Sequence, residues 1–268
     1  MSDERPTQEQ KGEAFRALHE SEPFVIPNPW DAGSARALEA MGFKALATTS
    51  GGHAFTLGRM DGNVTLDEMA DHVRLLTSAS ALPVSVDLEN GYGAEPEAAA
   101  RAITRAAEAG AVGGSIEDWD PDDERIYEID EAAERVQAAA EAAGGLGFRF
   151  MLTGRAENHI RDNPDLDDTI ARLQAYERAG ADVLYAPGLR STDDIRAVAN
   201  AISEPLNVLA LRRFTMQDIV EAGGQRVSVG GALTFVGMAA VAAAAETIRD
   251  EGDFSVLEAR VPVHDWVG

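Results

Sequence analysis

Residues 108–118 read Glu-Ala-Gly-Ala-Val-Gly-Gly-Ser-Ile-Glu-Asp, and their order predicts the architecture of the chain. The stretch begins where an Ala- and Arg-rich helical segment ends, and Gly110 ends that helix because glycine adopts the left-handed conformation without strain. An apolar strand over 112–117 follows and stops at two carboxylates. The same order of helix, glycine and strand recurs ahead of segments that begin at residues 45, 183 and 226.

Eight segments have the length and composition of strands, and helical stretches separate them: about 24–28, 45–50, 83–89, 112–117, 148–155, 183–187, 206–210 and 226–230. Several are continuous apolar runs, which are typical of strands buried on both faces. Eight βα units predict an α/β protein, a (β/α)₈ TIM barrel with a C-terminal helical extension. A doubly wound open sheet is the alternative, although the Gly-rich loops of nucleotide-binding sheets are absent. We expect one domain over 1–268, with 1–12 as a loose arm and 253–268 as a tail.

The chain is strongly acidic, with 46 acidic and 23 basic residues and a net charge of -23. Because phosphate groups and anionic lipids repel such a surface, we expect no nucleic-acid and no membrane partner. The most apolar stretch, 238–245, is too short to span a bilayer. The absence of cysteine excludes disulfides and thiolate sites, and it agrees with a cytoplasmic location.

Carboxylates follow the third and fourth predicted strands, at the ends where a barrel carries its chemistry. Asp87 and Glu89 are two residues apart, so a strand would direct both to one side. Their charges repel unless a cation or a shared proton lies between them, and carboxylate oxygens suit Mg²⁺. We predict that Asp87 binds Mg²⁺ most directly while Glu89 and Glu117 hold its water shell, with Mn²⁺ as an alternative ion. A solvated loop on an acidic chain is the competing interpretation.

Arg155 ends the fifth predicted strand, where a guanidinium can hold a carboxylate or phosphonate through two parallel hydrogen bonds. A structural ion pair with Glu157 or Glu117 is the alternative role for this arginine. Asp61 lies in a loop that could reach the metal.

Small residues follow the second predicted strand as Ser50, Gly51 and Gly52. Backbone N–H groups beside glycine approach a ligand closely and can stabilise a developing oxyanion, although a tight turn explains the glycines equally well. The predicted order of strands places His53 and His159 near the site, but we expect both side chains at the surface. We expect His19, His72 and His264 at the periphery.

Several reaction classes lack the residues that they need. Lys11 and Lys44 both precede strands, so neither lies where a barrel aldolase forms a Schiff base. The chain has no Gly-x-Ser-x-Gly elbow and no His-rich zinc spacing. Metal-assisted chemistry on a small anionic 2-oxo acid remains, because a metal and an arginine can together hold such a substrate.

The sequence resembles the isocitrate lyase/phosphoenolpyruvate mutase superfamily in a series of motifs spread over about residues 20–245. The motifs occur in the family's order, namely Asn28-Pro-Trp-Asp-Ala-Gly-Ser-Ala-Arg36, Thr49-Ser-Gly-Gly52, Asp87-Leu-Glu-Asn-Gly-Tyr-Gly93, Ser115-Ile-Glu-Asp118, Thr153-Gly-Arg-Ala-Glu157, Leu206-Asn-Val-Leu209 and Val227-Ser-Val-Gly-Gly231. The resemblance implies a (β/α)₈ barrel that binds Mg²⁺ with an enolate or a 2-oxo acid. It also implies a tetramer that exchanges its last helix, for which the 246–268 region is the candidate segment.

The resemblance also implies roles for individual positions. The family's metal-site acids fall on Asp61, Asp87, Glu89 and Glu117. The family's substrate-binding positions fall on Ser50, Gly51, Arg155 and Asn207. The placement at strand ends adds Trp30 and Gly52 as substrate-binding candidates. We expect Asp61, Arg155 and Ser50 to take part in catalysis.

Departures from the family pattern bear on the reaction. Carbon–carbon lyases of the family carry a Lys-Lys/Arg-Cys-Gly-His loop after strand four, where this chain reads Trp119-Asp-Pro-Asp-Asp-Glu-Arg-Ile-Tyr127. The lysine- and asparagine-bearing loop of the carbon–phosphorus enzymes is also missing, and Pro187-Gly188 replaces a lyase glutamate. The first expectation is a Mg²⁺-dependent lyase acting on a 2-oxo acid, like oxaloacetate decarboxylase or 2-methylisocitrate lyase. The alternatives are a phosphonopyruvate hydrolase or mutase and a non-catalytic ligand-binding barrel.

Overall fold

The computed structural model describes residues 5–258 and 260–268. Its ten strands are β1 (Phe24–Ile26), β2 (Leu46–Ala47), β3 (Val84–Asp87), β4 (Gly113–Glu117), β5 (Trp119–Asp120), β6 (Arg125–Ile126), β7 (Met151–Arg155), β8 (Val183–Tyr185), β9 (Leu206–Leu209) and β10 (Arg226–Ser228). Its helices are α1 (Gln8–His19), α2 (Ala32–Ala40), α3 (Ser50–Thr56), α4 (Leu66–Ala79), α5 (Pro96–Glu108), α6 (Ile129–Gly144), α7 (Leu166–Arg178), α8 (Thr192–Ala201), α9 (Met216–Glu221), α10 (Ala232–Glu251) and α11 (Val263–Val267). Two short 3₁₀ helices cover Asn158–Ile160 and Ser255–Leu257.

Eight strands form one parallel sheet in the order β1-β10-β9-β8-β7-β4-β3-β2, while β5 and β6 make a separate antiparallel hairpin. The two end strands meet where the Ala47 N–H donates to the Pro27 carbonyl at 3.0 Å. Asn28 also bridges this seam, because its Nδ2 donates to the Thr48 carbonyl and its Oδ1 accepts from the Val229 N–H. The predicted (β/α)₈ barrel is therefore confirmed, and the open-sheet alternative is wrong.

The structure confirms the local sequence signals that predicted the repeated helix and strand unit. Gly110 and Gly180 follow α5 and α7 with φ of 96° and 100°, a region that favours glycine. Thr65 and Thr215 begin α4 and α9 with reciprocal capping boxes, in which each hydroxyl accepts from a backbone N–H three residues on. These caps satisfy N–H groups that the first turn of a helix leaves free.

The N-terminal end of the barrel is closed by α1. Thr7 caps this helix through a box with Gln10, and Phe15 lies fully buried against Phe24 and Met151 inside the barrel. A Cβ on Gly12 would lie 2.3 Å from the Arg149 carbonyl, so the helix sits directly on the barrel. The prediction of a loose arm over 1–12 is wrong from residue 8 onward, because capping and burial of α1 hold this segment in place.

The C-terminal extension begins with α10, which is almost entirely exposed and presents the apolar side chains Phe235, Val236 and Val241. Among helices in the described residues, α10 is long and apolar enough to cross a membrane, with a mean hydropathy of 1.3. The expected absence of a membrane partner therefore stays a prediction. The chain then returns to the barrel, where α11 packs on α2 and the Arg36 Nη1 donates to the Val267 carbonyl at 3.1 Å. Part of the expected tail is thus an ordered helix.

Candidate active site

Three predicted site residues meet at the carboxyl ends of adjacent strands. Asp87 ends β3, Glu117 ends β4 and Arg155 ends β7, with Glu117 and Arg155 paired in register. Arg155 Nη1 lies 3.4 Å from Asp87 Oδ1 and 3.3 Å from Glu117 Oε2. One guanidinium therefore joins two of the predicted metal-site acids.

Arg155 also pairs with a third acid, Glu157, in the structural ion pair that was the alternative role for this arginine. Its Nε donates to Glu157 Oε1 at 2.5 Å, and Glu157 is fully buried. Burial raises the pKa of the Glu117 carboxyl well above its ordinary value, and the charge of Glu157 adds to that rise. Burial also raises the pKa of Glu157, while the Arg155 charge opposes the rise. The cluster thus holds more negative charge than one arginine neutralises.

Glu89 completes the acidic set in a conformation that a non-glycine residue rarely adopts, with φ of 48°. Its Oε1 is buried and finds no hydrogen-bond partner among the described residues. Burial, assisted by the charges of Asp87 and Asp61, raises the pKa of Glu89 to about 8. A buried carboxylate oxygen without a donor, surrounded by other carboxylates, fits a hard divalent cation.

The acids do not form a ready-made cage. Within residues 5–258 and 260–268, no group of three or more His, Asp or Glu side chains is placed to hold an ion unaided. Mg²⁺ usually keeps several of its waters and takes few direct protein ligands. The arrangement is therefore compatible with one direct carboxylate and with water between the ion and the other two.

The Ser50-Gly51-Gly52 segment forms the first turn of α3, where a strand end and a turn were expected. Thr49 causes this because its hydroxyl caps the helix by accepting from the Gly52 N–H. The Ser50 N–H donates to Asp87 Oδ2 at 3.3 Å. Asp61 is exposed and lies beside Gly51, since a Cβ there would be 3.3 Å from its Oδ2. Ser50, Gly51 and Asp61 thus stand at the rim of the acidic cluster.

A cavity of about 230 Å³ runs from this rim into the barrel, and Asp87, Arg155 and Asn207 line it. A second cavity adjoins it at the mouth and includes Glu89 and Glu117. Ser50, Asp61 and Arg155 line both cavities.

Within the part of the chain that the structure describes, two predicted substrate residues line neither cavity. Gly52 is buried where a Cβ would approach Thr49 and Thr234, so it serves packing. Trp30 packs behind it, with its Cβ 3.4 Å from that same position. A direct substrate contact for either residue is therefore not supported by the geometry.

Sequence reasoning missed two residues that line the inner part of the cavity. Tyr185 ends β8 and Arg226 begins β10, and both side chains line the cavity. The predicted strands contained both residues, and their position in the inward-facing register was the signal that could have found them.

Four of the five histidines are buried, so the expected surface positions of His53 and His159 are wrong, and only His264 is exposed among the described histidines. His53 and His72 stack with ring centroids 3.9 Å apart, and burial lowers the pKa of both, that of His72 to about 3. His19 lies under the barrel with its pKa also lowered to about 3 by burial, and His159 is buried beside Gly188. Neutral imidazoles pack as partly apolar rings, which composition alone does not reveal.

The loop after β4 is anchored to the barrel through the buried side chain of Asp118. Tyr176 donates its hydroxyl to Asp118 Oδ2 at 2.5 Å, and Arg172 Nη1 contacts the same oxygen at 3.1 Å. Arg172 also donates to the Tyr127 carbonyl at the far end of the loop. Above this loop, the Arg161 guanidinium stacks on the Trp119 ring at 4.1 Å.

Comparison with known proteins assigns this barrel to a family. The sequence profile of phosphoenolpyruvate phosphomutase matches residues 15–249. The chain belongs to the isocitrate lyase/phosphoenolpyruvate mutase superfamily. An oxaloacetate decarboxylase of Bradyrhizobium sp. (strain ORS 278) is 31% identical over 89% of this chain and 82% of its own length. The 2-methylisocitrate lyase of Escherichia coli (strain K12) is 31% identical over 73% of this chain and 68% of its own.

Solved structures of the superfamily agree with the fold. A crystal structure from Burkholderia cenocepacia J2315, assigned only provisionally as a lyase/mutase, superimposes with a TM-score of 0.93 and 49% sequence identity. The match covers 97% of this chain and 96% of that one. The predicted resemblance is confirmed, and the chain is a member of a superfamily of lyases and mutases.

Proposed function

We propose that this chain is a Mg²⁺-dependent lyase that cleaves a C–C bond next to the oxo group of a small 2-oxo acid, with oxaloacetate decarboxylation as the simplest case. The observation that carries the proposal is the acidic cluster around Arg155 at the cavity rim, with the buried and unpartnered Oε1 of Glu89. The oxaloacetate decarboxylase and 2-methylisocitrate lyase relatives support the same reaction class.

The chain's own residues divide the work between holding the substrate and holding the ion. Asp87, Glu89 and Glu117 would hold the metal, which when bound supplies a Lewis acid for the oxo group. Arg155 keeps Nη2 for a substrate carboxylate while its Nε and Nη1 face acids. Gly51 lies at the rim with the other end of the anion, and its N–H is the first-turn donor that remains, because the N–H groups of Ser50 and Gly52 donate to Asp87 and Thr49.

Assays on three substrates would test the proposal. With purified protein and Mg²⁺, we expect turnover of oxaloacetate or 2-methylisocitrate and loss of turnover on chelation of the metal. Asp87→Ala should abolish Mg²⁺-dependent turnover, whereas Asp71→Ala, an exposed acid on α4, should not change it. If phosphonopyruvate alone reacts, the lyase assignment is wrong.

A carbon–phosphorus bond enzyme is the second candidate, and the match to the phosphoenolpyruvate phosphomutase profile favours it. Against it, the loop over residues 119–127 lacks the lysine and asparagine of those enzymes in the resemblance described above. A non-catalytic binding protein would bind oxalate with Mg²⁺ and turn over none of the three substrates.

We also propose that the protein is a cytoplasmic homo-oligomer. The exposed apolar side chains of α10, including Phe235 and Val241, support association with a second copy, since monomers rarely leave such a surface uncovered. Light scattering should give a mass of two or more chains, and Val241→Glu should lower it. A single-chain mass for the unmodified protein would refute the association.

A further inference from the structure

Tyr185 stands in the wall of the cavity, directly below the acidic cluster. It ends β8 and pairs in register with Arg155 on one side and Asn207 on the other. The Arg155 guanidinium lies over its ring, 5.3 Å from the centroid. Ser228 lines the same cavity, and its hydroxyl lowers the pKa of the Tyr185 phenol. The only phenol that lines the inner cavity among the described residues is therefore in contact with the arginine at the site.

A chain of hydrogen bonds begins at Ser228, beside this phenol, and runs into the barrel. Asn207 Nδ2 donates to Ser228 Oγ at 3.1 Å, and Asn207 Oδ1 accepts from Arg226 Nε at 2.8 Å. Asn207 cannot reverse its amide without facing the guanidinium with its own donors, so this direction is fixed. The Ser228 oxygen accepts from Asn207, which leaves its hydroxyl proton free to turn toward Tyr185.

Arg226 is a buried cation whose partners are neutral. Its Nη2 donates to Thr153 Oγ1 at 3.0 Å, and its Nη1 lies 3.3 Å from His19 Nε2. His19 Nδ1 contacts the Phe15 carbonyl at 2.8 Å, so Nδ1 carries the imidazole proton and Nε2 accepts. Among the described residues, no carboxylate forms an ion pair with Arg226, so its charge acts along the chain that leads to Tyr185.

We propose that Tyr185 is the catalytic acid that protonates C3 of the enolate left by C–C cleavage, and that Ser228, Asn207 and Arg226 are its positioning residues. The inference rests on the lyase function proposed above. In oxaloacetate, the C3–C4 bond breaks, CO₂ leaves, and the electron pair forms the enolate of pyruvate. The O–H bond of Tyr185 then breaks as a C–H bond forms at C3. The phenolate regains a proton from the Ser228 hydroxyl, which takes one from water in the cavity.

The surroundings of Tyr185 suit this role in both protonation states. Burial raises the pKa of Tyr185 to about 12, so the hydroxyl keeps its proton at neutral pH until the enolate forms. Arg155 over the ring favours the phenolate, and Arg226 favours it through Asn207 and Ser228. Two cations thus stabilise the charge that remains after proton transfer.

The groups that line the same cavity give no equivalent donor. Ser85, Ser115 and Thr48 carry aliphatic hydroxyls, which are much weaker acids than a phenol. Asp87 in this cavity and Glu117 in the adjoining one face Arg155 and the expected metal, where an ionised carboxylate is needed. The loop over 119–127 carries no cysteine.

The test separates C–C cleavage from protonation at C3. The protein with Mg²⁺ is assayed for CO₂ release from oxaloacetate and, separately, for deuterium uptake into the methyl group of pyruvate in D₂O by NMR. Tyr185→Phe keeps the ring over which Arg155 lies and removes the proton. We expect exchange to fall at least about 100-fold, the lower range for loss of a general acid, while CO₂ release falls less than about tenfold. Calorimetry with oxalate and Mg²⁺ should show unchanged binding.

Two further variants keep the inference falsifiable if Tyr185→Phe disturbs the site. Ser228→Ala, which leaves the tyrosine intact, should slow exchange about tenfold, and Ser228→Thr should restore it. Exchange within threefold of the unmodified protein in either Tyr185→Phe or Ser228→Ala would overturn the role of Tyr185. If the unmodified protein neither releases CO₂ nor exchanges pyruvate, the proposed function itself fails.

Discussion

Replacing Arg155 with methionine removes the cation that lies between three acids of the site. Its guanidinium contacts Asp87, Glu117 and Glu157 at 3.4, 3.3 and 2.5 Å, and these side chains are 17%, 8% and 0% exposed. At an effective dielectric constant of 20, each of the two longer contacts contributes about 5 kcal/mol before desolvation. Desolvation offsets much of this, and loss of one member of a buried pair typically costs about 3–5 kcal/mol. We expect a loss of that size in the free energy of unfolding at pH 7.5.

The loss should depend on pH in a direction fixed by the carboxyls. The pKa values of Glu117 and Glu157 are already raised by burial, and removal of Arg155 raises them further. The folded variant then binds protons that the unfolded chain releases, so the penalty is full above the raised pKa values. It is relieved as the pH falls toward 4.5, the ordinary value for a glutamate.

Urea unfolding followed by circular dichroism, at pH 7.5 and pH 5 without metal, measures both quantities. Arg196→Met is the matched control, because Arg196 pairs with Asp193 at 2.7 Å on an exposed helix face and should cost less than about 1 kcal/mol. A loss below about 1 kcal/mol for Arg155→Met at pH 7.5 would refute the reasoning. A loss equal at the two pH values would refute its electrostatic part.

Three other predictions concern the metal, the N-terminal helix and the buried histidines. Asp87→Asn should weaken Mg²⁺ binding, measured by calorimetry with oxalate present, by at least about tenfold, and unchanged binding would remove Asp87 from the site. Gly12→Ala should lower the free energy of unfolding, measured with urea, by about 1–3 kcal/mol, because its Cβ would lie 2.3 Å from the Arg149 carbonyl; an unchanged free energy of unfolding would mean that α1 does not pack there. The pKa of His72 is lowered to about 3, so its contribution to stability is full above 6.5 and is lost as the pH falls toward 3. His72→Leu should therefore reduce the slope of unfolding free energy against pH in that window by up to about 1.4 kcal/mol per unit, and an equal slope would contradict the buried neutral state.

Much of the barrel could be predicted because its signals are local. A glycine such as Gly110, an apolar run and a terminal carboxylate lie within a dozen residues of one another, and each repeats along the chain. The meeting of Asp87, Glu117 and Arg155 followed from the same reasoning, since parallel strands bring their carboxyl ends to one edge. These inferences need only strand order, and the structure has the order of a barrel.

The missed features depend on contacts between distant segments. Residues 8–12 are highly polar, so the sequence alone predicts an exposed segment. The packing of Phe15 with Phe24 and Met151 shows that α1 closes the barrel. The sequence indicates only that Arg226 begins an apolar strand. Its buried partners His19 and Thr153 are 207 and 73 residues away along the chain, so local sequence does not reveal them. Burial of a polar group depends on such partners, and residue type does not reveal it.

The loop after β4 explains why the acid of this site would lie in the barrel wall. Its two ends are tied together, because the Tyr127 N–H donates to the Asp118 carbonyl at 2.8 Å and Arg172 holds both residues. Residues 119–127 therefore form a short hairpin with four carboxylates among its nine side chains, and it carries no cysteine that could supply a proton. When Mg²⁺ is bound, its charge favours the ionised form of the carboxylates beside it, so they do not donate a proton at neutral pH. Of the groups that reach the cavity from the strands, Tyr185 holds a transferable proton, faces the substrate space and has cations to stabilise its anion. The phenol at the end of β8 would thus supply the proton that the loop over 119–127 does not supply, and Tyr185→Phe tests this role.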